Sequence, residues 1–156
     1  MVEMDIANRF PNAELTIGKD VIIEDNVSLY GQVVIGDGCV IQAGAVIGDY
    51  GFEFTKTKTD FERQKGKVVL GNNVVIGSNV CINRGIYQDT EIGDNVKIAN
   101  LCHIAHDVSI GRDTIIAAKV SVSSNVSIGK SCQIGAGVTI RDHISIGDGT
   151  FVGIGS

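Results

Sequence analysis

The sequence predicts an all-β solenoid, a triangular prism of short stacked strands. Two observations carry that expectation: apolar residues recur every six positions, and glycine supplies 20 of 156 residues while proline supplies one. Glycine at about 13% stands well above the usual level of about 7%, and a lone Pro11 excludes a collagen-like chain. A helix would place apolar residues at steps of three and four. A period of six fits a short strand, a sharp corner and another short strand.

The elements follow in order. Residues 1–16 precede the period, which opens with Ile17, Ile23, Leu29, Ile35, Ile41 and Ile47. Residues 49–69 interrupt it as an inserted loop; Leu70, Ile76 and Ile82 resume it, and a shorter excursion occupies residues 84–91. From Ile92 it runs unbroken to Val152. A second series of small or β-branched residues lies four positions after each large aliphatic, as in Val33, Cys39, Val96, Cys102 and Cys132. Three hexads close one coil, so equivalent side chains stack about 4.8 Å apart and about six to seven coils make a prism on the order of 30 Å long. Gly36-Asp37-Gly38, Gly71-Asn72-Asn73 and Gly93-Asp94-Asn95 suit corners that need a left-handed backbone. The whole chain, 1–156, reads as one domain.

Composition excludes several functions. No run of eighteen apolar residues appears, and the N-terminus lacks the basic-then-apolar order of a secretion signal, so the expectation is a cytoplasmic protein without membrane insertion. A net charge of −5 offers no overall basic field for nucleic acid. Cys39, Cys81, Cys102 and Cys132 are scattered without a C-x-x-C pair, which argues against a zinc site or a disulfide framework and for structural, reduced thiols.

Counting hexads in threes separates scaffold from site. One column contains the hexads of Leu29, Ile47, Ile82, Ile104, Val122 and Ile140; both excursions leave from it, and it holds His106 and His143, with His103 on the strand leading in. Loops on a rigid scaffold are where binding groups are usually placed. His106 and Asp107 are expected in an exposed turn, where an imidazole can take a proton from an amine or hydroxyl and the carboxylate can hold its tautomer. One coil later stands Ser124, whose backbone N–H would lie about one strand spacing away and could receive a tetrahedral oxyanion. The stretch Thr55 to Lys67 carries five basic residues, including Lys56, Lys58 and Arg63, against Asp60 and Glu62. These are candidates to meet the phosphates of coenzyme A, a nucleotide sugar or an acyl carrier protein, against the alternative of a solvated loop.

The hexads resemble those of the left-handed parallel β-helix proteins, most of them homotrimeric acyltransferases, over residues 17 to 156. Within that family, Gly51-Phe52-Glu53-Phe54, Asn83-Arg84-Gly85 and His103-Ile104-Ala105-His106-Asp107 are similar to the Gly-Phe-Gly-Tyr, Asp-Arg-Gly and Gln-Ile-Ala-His-Asn strings of the lipid A N-acyltransferases acting on UDP-3-O-acylglucosamine. The resemblance implies left-handed coiling, a homotrimer, His106 as general base, and Phe52, Asn83, Arg84, His103 and His143 near a nucleotide-sugar acceptor. It also implies acyl-CoA or acyl carrier protein as donor, with no permanently bound cofactor and no metal. Ser124 stands where that family has glycine, and the expectation is of a chain without the family's N-terminal uridine-binding domain or C-terminal helices. Two other classes compete. A γ-type carbonic anhydrase shares the helix, but its histidine spacing places Asp148 where a ligand should follow His143; a non-catalytic trimeric scaffold leaves the clustering of histidines and loops unexplained.

Overall fold

A computed structural model describes residues 8–53 and 64–156. Among these, twenty short strands, from Ala13–Ile17 to Phe151–Val152, form three parallel sheets of seven, seven and six strands that wind as a left-handed β-helix of about seven turns. Every strand pairs with its equivalent one coil away. His103–Ile104 sits between Cys81–Asn83 and Ser121–Val122, with Ile104 aligned on Ile82 and Val122. The third sheet stacks Leu29, Ile47, Ile82, Ile104, Val122 and Ile140, the column that counting in threes had assembled.

The period works because a single position per hexad points inward at full size. Ile35, Ile41, Ile47, Ile76, Ile82, Ile98, Ile104 and Ile116 are all buried in one continuous core. Each such side chain contributes roughly 1.5–3 kcal/mol by leaving water. The smaller series fills the corners: Cys39, Cys102 and Cys132 are buried and unpaired, and their thiols donate to the carbonyls of Gly71, Ala117 and Gly147 respectively.

Corner geometry explains the polar residues. The third residue after most of the large aliphatics adopts positive φ, as Asn73 (56°), Asn95 (60°), Asp107 (59°), Asn125 (58°) and His143 (59°) do; after Leu29 and Ile47 the left-handed residue is instead Gly31 or Gly48. Asn and Asp tolerate this left-handed region better than other side-chain-bearing residues. At the corner joining the first sheet to the second, Asp37, Asn72 and Asp94 each accept a hydrogen bond from the corner amide one coil earlier, at 2.7 to 2.8 Å.

Two features of the N-terminal end lie outside the hexad pattern. The first coil opens at Ala13, ahead of Ile17, because Ala13–Ile17 pairs in full with Gly31–Ile35. Phe10 is 4% exposed and packs on the core, and Arg9 donates to the carbonyls of Ile23 and Glu24.

Candidate active site

Both excursions leave the third sheet at the corner that leads back to the first: one after Val46–Asp49, returning at Val68–Leu70, and one after Cys81–Asn83, returning at Thr90–Ile92. A cavity of about 690 Å³ opens there, lined by Phe52, Asn83, His103, His106, Ser124 and His143, six of the residues singled out from sequence. Glu53, Tyr87, Asn125 and Asp142 join them.

His106 is the centre of this arrangement. Its Nδ1 lies 2.9 Å from Oδ2 of Asp107, so with the carboxylate as acceptor the ring carries its proton on Nδ1 and offers Nε2 as a base. Asp107 is itself held from all sides. Its Oδ1 accepts the backbone N–H groups of Ile86, Tyr87 and Gln88 at 2.8, 3.0 and 3.0 Å. Its own N–H donates to Thr90 Oγ1, and its carbonyl accepts Gln88 Nε2. The short excursion is therefore a cup of amides around one carboxylate, and that cup orients the imidazole.

The expected exposure of this turn is overturned: His106 is 4% exposed and Asp107 0%. The stem of the long excursion covers them. A Cβ on Gly51 would lie 2.7 Å from His106 Cδ2, so only glycine lets the backbone approach the ring this closely. Gly51 is fastened in turn by buried Gln64, whose Oε1 accepts the Gly51 N–H at 2.8 Å and whose Nε2 donates to the Gly51 carbonyl at 3.0 Å. Tyr87 donates to Glu53 Oε1 at 3.0 Å, tying one excursion to the other; that bond raises the phenol above its ordinary value.

Ser124 stands one coil beyond His106, close enough that the next residue's N–H, on Asn125, donates to the His106 carbonyl at 3.2 Å. Elsewhere the equivalent corner amides of Lys19, Asp37, Asn72, Ser78 and Lys130 donate to an Asp or Asn oxygen one coil on. Asp142 occupies that place for Ser124. It turns instead towards Arg141 and His143, at 3.6 and 3.8 Å; Ser124 lines the cavity, and its N–H has no partner among the described residues. His103 projects from the sheet face at the cavity's edge, and desolvation lowers its pKa from the ordinary imidazole value.

Not every expected residue joins this cavity. Asn83 does, and its Nδ2 donates to the Tyr50 carbonyl at 3.0 Å, but the Arg84 side chain leaves on the opposite side. Its Nε donates to the Gly48 carbonyl at 2.7 Å and its guanidinium lies 4.3 Å from the Tyr50 ring centre, lining a different cavity. Adjacent residues of an extended segment point to opposite faces, which separates this pair. Lys56, Lys58 and Arg63 fall outside the described residues. Gln64, Tyr87 and Thr90 carried no sequence signal, since an insertion has no period from which an inward position can be read; Glu53 appeared only within the string Gly51-Phe52-Glu53-Phe54. Among the described residues no three of His, Cys, Asp and Glu are grouped to hold a metal ion, and no helix is long and apolar enough to cross a membrane.

A parallel solenoid with its histidines and loops gathered at one corner is the architecture of hexapeptide-repeat proteins, and the chain belongs to that family. Its residues 15–49 and 89–124 match the bacterial transferase hexapeptide (six repeats), and residues 67–100 and 107–142 match the hexapeptide repeat of succinyl-transferase. The chain is 43% identical over 103 residues to the UDP-3-O-acylglucosamine N-acyltransferase of Pseudomonas putida, and 38% identical over 108 residues to that of Polynucleobacter asymbioticus. Those alignments span 65% of this chain but only 29% and 30% of the relatives. Among solved structures it is similar to UDP-N-acetylglucosamine acyltransferase from Campylobacter jejuni, at TM-score 0.73 and 27% identity over 94% of this chain and 65% of that one. It shares its fold with the acetyltransferase domain of PglB from Neisseria gonorrhoeae, at TM-score 0.56 and 22% identity over 89% of this chain and 54% of that one.

Proposed function

We propose that this chain carries the catalytic centre of an acyltransferase that moves an acyl group from a thioester to an amine or hydroxyl of a nucleotide-linked sugar. The observation that carries the reading is the buried His106–Asp107 pair, with Nε2 left to the cavity and, one coil away, a Ser124 N–H that has no partner among the described residues. His106 Nε2 takes the proton of the acceptor as its nitrogen or oxygen attacks the thioester carbonyl. The Ser124 N–H receives the oxyanion that forms, a fixed donor in a sheltered site. Collapse of the tetrahedral intermediate breaks the carbon–sulfur bond, and the imidazolium returns its proton to the departing thiolate. Asp107 stabilises the cation between the two transfers.

The donor is acyl-CoA or an acyl carrier protein thioester, with Lys56, Lys58 and Arg63 on its phosphates, and the reaction belongs to the cytoplasm. Phe52, Asn83, His103 and His143 surround the acceptor. The active assembly is a homotrimer in which a neighbouring copy closes the open side of the corner. The similarity to the acyltransferases supports this reading for the part of their length that the chain spans. Incubating the protein with acyl-CoA or acyl carrier protein thioesters and UDP-linked amino sugars, with mass spectrometry of the products, tests it. An acylated sugar nucleotide that forms only with the intact protein is the expected result. Consumption of thioester with release of free acid and no acylated sugar from any pair would overturn the acceptor assignment.

A further inference from the structure

A second cavity, of about 470 Å³, lies on the other side of the Tyr50–Gly51 wall, and its chemistry differs from that of the first. Its principal feature is Arg84, a half-buried cation with no carboxylate partner among the described residues. The guanidinium is restrained in three directions. One face lies on the Tyr50 ring at 4.3 Å; the other rests so closely on Gly31 that a Cβ there would come within 2.6 Å of its central carbon. Its Nε edge is tied to Gly48. The Nη1 and Nη2 groups make no hydrogen bond among the described residues, and they remain to serve the cavity. Lys65 adds a second positive charge to the lining, and Gln32 and Asn12 add neutral hydrogen-bonding groups. Glu14 also lines it, which confines an anion to the Arg84 side.

A guanidinium whose plane is already fixed presents two N–H groups in the geometry that matches two oxygens of one phosphate or carboxylate, and little further entropy is lost when they bond. We infer that the second cavity is an oxyanion-binding site in which the Nη pair of Arg84 grips a phosphate or carboxylate group, assisted by Lys65. The site sits against the catalytic centre through a wall one chain thick. Gln64 lines the second cavity while clamping Gly51 over His106, and Asn83, which lines the first, holds the carbonyl of Tyr50, whose ring lies on Arg84. Occupancy of the one cavity thus bears on the residues that shape the other.

Binding requires no turnover, so its test is separate from that of the acyltransferase reading. Inorganic phosphate is titrated into the whole protein while the arginine side-chain nitrogens are followed by NMR and the heat of binding by calorimetry. Saturable binding that moves the Arg84 resonances is expected, and Arg84→Gln should weaken it by roughly 10- to 100-fold, the range of charge-assisted hydrogen bonds. Arg84→Lys should retain only part of the affinity. Unchanged affinity in Arg84→Gln would overturn the site. If that variant does not fold, the native protein decides: phosphate that shifts Arg112 and Arg141 but leaves Arg84 in place overturns it equally. A UDP-linked sugar then distinguishes the two sources of the oxyanion. Displacement of phosphate assigns the cavity to the substrate's own phosphates, and simultaneous binding assigns it to a separate anionic ligand; either result supports the site.

Discussion

Two corners of the same prism share a left-handed turn in their later coils and yet do different things. Where the first sheet meets the second, side-chain oxygens of Asp37, Asn72 and Asp94 take the corner amides one coil earlier. Where the third sheet meets the first, the left-handed position is kept by Asp107, Asn125 and His143, but His106 and Asp142 in the acceptor position turn to Asp107 and to Arg141 and His143, and the Ser124 N–H has no partner among the described residues. The difference lies in how the hydrogen bonds are spent. At the first corner side chains of the repeat itself take the amides of Lys19, Asp37 and Asn72; at the second, two inserted loops orient His106 and Asp107 from outside, as a ligand site requires.

Replacing the base should break this contrast most severely. His106→Ala is expected to keep its fold and lower turnover by about 10²- to 10⁴-fold, the usual contribution of a positioned general base. Steady-state kinetics with the substrates identified by mass spectrometry would show it, and near-normal turnover would leave the scaffold alternative as the better reading. Gly51→Ala acts more gently on the same group. Its methyl would meet the imidazole at 2.7 Å, so the ring must shift away from its place beside Asp107. The expected outcome is roughly a tenfold or greater loss in kcat with a near-native melting temperature, since misplacement of about 1 Å can cost about 10²-fold.

The opposite corner sharpens the comparison from the other side. Asp94→Ala removes the acceptor for the Asn72 N–H at an exposed turn, and should cost at most about 1 kcal/mol in denaturant unfolding while turnover stays unchanged. A large loss of turnover here would show that the corners are coupled through the prism. The smallest effect is expected from His103. Burial of its ring against the cavity lowers its folded pKa below 6.5, so below that pH the unfolded chain binds the proton more readily and stability falls as pH drops towards the folded value; above it the residue contributes no pH dependence. Because the ring is open to solvent on its outer side, His103→Gln should remove only a slight part of the fall in melting temperature between pH 7.5 and 5.5.

How far these corners could be read in advance depended on distance along the chain. The coil, its inward aliphatics and the column of Ile47, Ile82, Ile104, Val122 and Ile140 followed from spacing, because stacking forces every eighteenth residue into register. The gathering of His106, Ser124 and His143 followed from the same count. The burial of His106 did not, since Gly51 and Gln64 come from an insertion whose path no period describes. Nor did the parting of Asn83 from Arg84, which depends on where the strand ends and hence on which face each side chain takes. Phe10 escaped notice for a related reason: it closes the core from a segment that precedes the repeat.

The stacking of each strand on its neighbour one coil away carries a consequence for how the molecule comes apart. Cooperativity in such an array passes from rung to rung, each coil resting on its two neighbours. The rung bearing His106 lies well inside, with the third-sheet strands of Leu29, Ile47 and Ile82 before it and those of Val122 and Ile140 after it. With strands stacked on both of its sides, the amides of this rung should exchange slowly, and a substitution that loosens the rung of Ile82 or of Val122 should speed exchange around Ile104.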